Sequence, residues 1–109
     1  MLRLVVTLTL INAVASQALA QPAAVARGRR LAGTVCASCH AIGPQGDSPN
    51  AGAPRFRDLA SLEHGRSIDE VFAEGVLTTH PGMPSWGLTD RDQSDLLAYL
   101  RTLQRTAAS

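Results

Sequence analysis

The two cysteines of this chain stand at positions 36 and 39, and a histidine follows the second at once, in the run Cys36-Ala37-Ser38-Cys39-His40. Two nucleophilic sulfurs and an imidazole in so short a run leave few uses open. A disulfide between thiols so close in sequence closes a loop too tight to stabilise much. A dithiol redox pair belongs with a βαβ pattern, and no strand-like alternation or internal repeat is found along the chain. Structural zinc needs four ligands in closed geometry. Cys36, Cys39 and His40 would have to borrow the fourth from His64 or His80, both far along the chain.

The C-x-x-C-H spacing is also that of covalent c-type haem attachment. Two thiols a helical turn apart can bond the two vinyl-derived carbons on one edge of a porphyrin, and the next residue then lies under the ring with an imidazole nitrogen for the iron. Composition speaks for such a filler. Only four aromatics (Phe56, Phe72, Trp86, Tyr99) are available to a 109-residue chain, and small domains often need a metal or a cross-link to hold together. The reading is therefore one covalent haem c with its iron, bound through Cys36, Cys39 and His40.

The beginning of the chain has the three-part layout of a secretory signal peptide. Met1-Leu2-Arg3 is positively charged, Leu4 to Ala15 is apolar apart from Thr7, Thr9 and Asn12, and Ala18-Leu19-Ala20 precedes Gln21-Pro22. The apolar run is shorter than the roughly 20 residues that span a bilayer. The expected organisation is a signal peptide over 1–20 and a single domain over 21–109, exported to the periplasm or beyond, with no stable membrane insertion after cleavage. Cleavage after Ala15 and an uncleaved anchor are the alternatives. Residues 21–109 carry nine arginines, no lysine and nine acids, which argues against a nucleic-acid partner.

Apolar residues Val25, Gly28, Leu31, Ala32 and Val35 recur at helical intervals from Ala23 to about Val35. A Gly/Pro-rich loop runs from Ala41 to about Arg55, and loops of that length in a small domain are usually functional. A short helical turn is expected over 57–62. Ser67-Ile68-Asp69-Glu70 reads as a capping box opening a helix that carries Val71 and Phe72 and stops at Gly75. A second irregular stretch, 76–87, holds His80-Pro81-Gly82-Met83-Pro84-Ser85-Trp86. Thr89 and the acids after it then open a last helix with Leu96, Tyr99, Leu100 and Leu103 on one face. The fold class is all-α, three to four helices with long loops.

Within 21–109 Met83 is the one methionine. Gly82 and Pro84 keep its chain extended and let the backbone approach a flat ring closely. It is the expected second axial ligand beside His40; His80 and His64 compete, and a plain gap-filling methionine is the bland reading.

Taken together, Cys36–His40, the Gly/Pro loop, Met83-Pro84 and a C-terminal Leu/Tyr helix resemble a small, exported class I c-type cytochrome of bacterial type, over essentially all of 21–109. The resemblance implies the cytochrome c fold, with N- and C-terminal helices crossing around one haem. In it Gly28 takes the place of the small residue that lets those helices touch, and Tyr99 that of the aromatic beside it. Ala53-Pro54-Arg55-Phe56 resembles the family's Gly-Pro-x-Leu stretch, which implies that the Pro54 carbonyl orients His40. Ala53 stands where the family has glycine, Pro44 is a rival acceptor, and the lysine ring of the mitochondrial relatives is absent. Trp86, beside Met83, is either a wall over the iron with an N–H for a haem propionate or ordinary packing. Arg55 and Arg57 are propionate partners or solvated charges; Arg27, Arg29 and Arg30 are a docking patch or a polar helix face.

Such a protein is expected to be a one-electron carrier rather than an enzyme, serving redox partners such as a periplasmic dehydrogenase, an oxidase or another cytochrome. The alternatives are a haem subunit fixed to a dehydrogenase, or a gas-binding or peroxide-reactive protein if Met83 is weakly held.

Overall fold

The computed structural model describes residues 21–62, 66–75, 82–83 and 87–107. Among them there is no strand; the secondary structure is helical. Residues 21–31 form α1, which runs directly into a π-helical turn, Ala32–Cys36. A 3₁₀ turn, Phe56–Asp58, leads into the short α2, Leu59–Leu62; α3 covers Ile68–Ala73 and α4 covers Asp90–Ala107. The proposed leader and most of the stretch around Met83, including His80 and Trp86, lie outside the described residues, as does His64.

Both expected helix starts carry reciprocal caps. Glu70 N–H donates to Ser67 Oγ at 3.2 Å and Ser67 N–H to Glu70 Oε2 at 2.7 Å. Asp92 N–H donates to Thr89 Oγ1 at 3.1 Å and Thr89 N–H to Asp92 Oδ2 at 3.0 Å. Each pair satisfies two amides that the first helical turn leaves without partners. These bonds to their ionised forms hold the Glu70 and Asp92 carboxyls below their ordinary range. α3 gives out at Gly75, whose φ of 78° is the left-handed conformation that glycine adopts without strain.

The core joins the first and last helices. Ala32, Cys36, Phe56, Ile68, Leu96, Tyr99, Leu100 and Leu103 form one buried cluster, with Val25, Leu31, Val35 and Phe72 packed against it. The α4 stripe read from the sequence is the buried face, with Leu96 and Leu100 each 1 % exposed. α1 crosses α4 at Gly28, which is buried. A Cβ placed there would come within 2.0 Å of the Asp95 carbonyl oxygen and 3.0 Å of Tyr99 Cβ.

Polar bridges lock this arrangement. Arg27 makes a bidentate pair with Asp95, Nε to Oδ2 at 2.7 Å and Nη2 to Oδ1 at 2.9 Å. Arg101 ties α4 to Asp69 on α3, with Nε to Oδ2 at 3.2 Å. Tyr99 donates its hydroxyl to the Ile42 carbonyl at 2.7 Å, pinning the loop that follows the cysteines. Arg27 thus belongs to the helix crossing rather than to a polar face or a docking patch, a role invisible until α4 is laid across α1.

Candidate haem site

The cysteine run begins where α1 widens. In the π turn the Ala37 N–H reaches back to the Ala32 carbonyl at 3.0 Å, one residue further than in an α-helix. Such wide turns recur at functional sites. Here it ends the helix on Cys36 and hands over to a tight turn in which the Cys39 and His40 amides both donate to the Cys36 carbonyl, at 3.1 and 2.9 Å. The thiols are therefore set by backbone hydrogen bonds of their own segment.

Both thiols are free, Cys36 buried and Cys39 half-buried. No disulfide joins them, and among the described residues no cluster of three or more His, Cys, Asp or Glu could hold a metal ion. Burial pushes the Cys36 thiol up from its ordinary range, which favours an inert, protonated sulfur over a poised dithiol nucleophile. The disulfide use of the motif thus finds no support in the geometry.

His40 is held by the loop wrapped around it. Its Nδ1 lies 2.6 Å from the Pro54 carbonyl oxygen. A carbonyl can only accept, so Nδ1–H donates, and the neutral ring carries its lone pair on Nε2, the nitrogen available to a metal. The loop gains its shape from three returns to the cysteine turn: Asn50 N–H to the Cys39 carbonyl at 3.1 Å, Phe56 N–H to the Ala41 carbonyl at 3.0 Å, and Ala41 N–H to Ser48 Oγ at 3.0 Å. Phe56 closes one side, its ring centroid 5.1 Å from that of His40 and tilted by 46°. Ala53 in place of glycine does not stop Pro54 from approaching His40, and the contact is to Pro54 rather than to Pro44.

Two further residues define the turn beneath this contact. Gln104 on α4 donates Nε2–H to the Phe56 carbonyl at 2.6 Å and accepts the Ala60 N–H at 3.0 Å. Arg55 is paired with Asp58 at 2.6 Å and with Asp47 at 3.3 Å. Gln104 was not singled out in the sequence, and nothing local could have revealed it, because its partners are 44 and 48 residues away. Met83 is half-buried after Gly82, whose φ is 80°.

Comparison with known proteins agrees with this picture. The profile of the family described as Cytochrome c matches residues 25–104. The chain is also similar to the protein named cytochrome c-552 of Bradyrhizobium diazoefficiens, at 35 % identity over 96 residues, covering 87 % of this chain and 90 % of that one. The chain belongs to the cytochrome c family. No solved structure matches it significantly.

As a cytochrome c, the protein carries covalently bound c-type haem with its iron and serves haem-based electron transfer. The residues of the site fit that group. Two free thiols stand in sequence before an imidazole whose Nε2 is left for a metal. In addition, among the described residues Arg57 Nη1 is buried with no hydrogen-bond partner. Among the described residues no helix is long and apolar enough to cross a membrane.

Proposed function

We propose that this cytochrome c is an exported, periplasmic one-electron carrier, made with a leader over 1–20 that is removed to leave residues 21–109 as its single domain. In this reading Cys36 and Cys39 attach the haem, each thiol S–H adding across a vinyl C=C so that no atom leaves. His40 and Met83 would hold the iron, and Trp86 would shield it on the Met83 side. Haem held in this way would supply a ferric/ferrous couple for one-electron transfer.

The observation that carries the reading is the bond from His40 Nδ1–H to the Pro54 carbonyl at 2.6 Å. It orients the imidazole, selects the nitrogen left for iron and raises that nitrogen's basicity. Phe56 and the buried core keep water from this side of the site, a condition that favours the less charged ferrous state and a higher potential. The partners are redox proteins that dock transiently through small interfaces: a dehydrogenase, an oxidase or another cytochrome.

The test is a visible and near-infrared spectrum of the protein made with haem-attachment machinery. A methionine-to-ferric-iron charge-transfer band is expected, and it should vanish in Met83→Ala. Carbon monoxide added to the reduced wild type should leave the spectrum unchanged. Rapid carbon monoxide binding, or a band that survives in Met83→Ala, would overturn the assignment of Met83 and favour a gas-binding protein.

A further inference from the structure

Gln104 is engaged at both ends of its carboxamide. It stands near the end of α4, half-buried against the Phe56–Asp58 turn and the start of α2. Its Nε2 donates to the Phe56 carbonyl at 2.6 Å and, at 3.4 Å, to the Leu100 carbonyl of its own helix. Its Oε1 accepts the Ala60 N–H at 3.0 Å. A backbone carbonyl only accepts and a backbone amide only donates, so the two ends are not interchangeable. Glutamate would accept from Ala60 but bring no hydrogen to Phe56. Lysine or arginine would donate to Phe56 but bring no lone pair to Ala60. The bridge needs a carboxamide.

What it holds is the segment that touches His40. Phe56 is fixed at both of its backbone groups. Its N–H donates at 3.0 Å to the carbonyl of Ala41, the residue after His40, and its carbonyl is held by Gln104. Its ring stands 5.1 Å from that of His40. Two positions before it lies Pro54, whose carbonyl accepts the His40 Nδ1–H at 2.6 Å. The other ties of the turn are local: Arg55 to Asp58 and Asp47, Asp58 N–H to the Arg55 carbonyl, and the Ser61 hydroxyl to the Asp58 carbonyl. Among the described residues, the hydrogen bonds that cross from α4 to this segment are those of Gln104.

We propose that Gln104 is a positioning residue for the haem ligand His40. Through Phe56 and Pro54 its carboxamide sets the strength of the Nδ1–H bond, and with it the basicity of the nitrogen offered to iron. The helix that crosses α1 thus acts on the histidine through one side chain.

The inference rests on His40 as the ligand of the family's haem c, and not on Met83, the leader or the partners. Four holoproteins test it: wild type, Gln104→Leu, Gln104→Glu and Arg101→Gln. Leucine removes both ends of the bridge. Glutamate keeps the size and the acceptor but turns a second oxygen on the Phe56 carbonyl. Arg101→Gln is the control, since it frees α4 from Asp69 on α3 and leaves the turn untouched. Proton NMR of the reduced proteins reads the His40 Nδ1–H, which should exchange slowly in wild type. In Gln104→Leu and Gln104→Glu its resonance should move upfield, as a weakened hydrogen bond requires, and its exchange should quicken by about tenfold or more. In Arg101→Gln both should keep their wild-type values, whatever the melting temperature. A His40 signal unchanged in Gln104→Glu, or moved equally by Arg101→Gln, overturns the proposal and leaves Gln104 a support of α4 packing alone. If Gln104→Leu does not fold, the isosteric Gln104→Glu decides. Wild-type His40 ring protons without the large haem-ring displacement of an axial ligand would overturn the reading of His40 itself, and the proposal with it.

Discussion

Gly28 lies directly beneath the carbonyl of Asp95, so close that even a methyl group there would stand 2.0 Å from the oxygen. The approach brings α1 and α4 into backbone contact and lets Tyr99 close over the junction. Because the obstacle is backbone, a side chain at position 28 cannot be absorbed by a rotamer change. It must push the helices apart. Gly28→Ala is expected to destabilise the holoprotein by at least about 2 kcal/mol, the upper part of the range for overpacked cores. The melting temperature should fall by about 10 °C for a domain of this size. Thermal unfolding followed at the Soret band measures this, and an unchanged midpoint would falsify the crossing.

The pair formed by Arg27 and Asp95 makes the same crossing sensitive to acid. The Arg27 hydrogen bonds hold the Asp95 carboxyl below the ordinary carboxylate range, outweighing the opposing effect of its burial. A group whose pKa is lowered by folding stabilises the fold above its unfolded value, about 3.9 for Asp, and loses that contribution as pH falls through the folded value. Asp69, held by Arg101, acts in the same direction, as do Glu70 and Asp92. Arg27→Gln raises the Asp95 value toward normal. Its acid-unfolding midpoint should therefore lie at higher pH than that of wild type, while the alkaline limb stays where it was. Circular dichroism during an acid titration reads the difference.

Gln104 holds two backbone groups of the turn beneath His40, the Phe56 carbonyl and the Ala60 amide. Gln104→Ala strips both of their partner, at a cost of about 1–3 kcal/mol. Hydrogen exchange at the Ala60 amide should accelerate by a factor of ten or more, since about 1.4 kcal/mol of lost protection corresponds to tenfold. An Ala60 amide exchanging as slowly as in wild type would show that the turn is held by other means.

Removing the cofactor should remove the fold. The buried cluster contains two aromatic rings, Phe56 and Tyr99, and the loop from 41 to 55 is organised around a histidine whose ligand nitrogen would be left without its metal. The chain expressed without haem-attachment machinery is expected to show little helical circular dichroism and no cooperative melt. A colourless protein with native-like helix content and a sharp transition would contradict this.

Several features were legible in the residues. The α4 stripe of Leu96, Tyr99, Leu100 and Leu103 and both helix caps depend on neighbours three or four positions away, and periodicity reads such spacing directly. The Cys36–His40 motif stands out in the linear sequence because covalent attachment and ligation from one short turn would require contiguous residues. The widening of α1 at Ala32–Cys36 was not legible, since the residues AGTVC carry no mark that separates a π turn from the end of an ordinary helix.

The linear order of residues was enough to settle the all-helical class, the haem motif and the family likeness, because each rests on spacings of a few positions. The docking of distant parts had to come from the folded chain. Arg27 reads as a solvated charge until α4 brings Asp95 to it from 68 positions away. The role of Gln104 likewise exists only once α4 lies against the Phe56–Asp58 turn. A short-range pattern is written into the helix geometry itself, whereas a long-range polar contact depends on where packing of the apolar faces leaves each side chain.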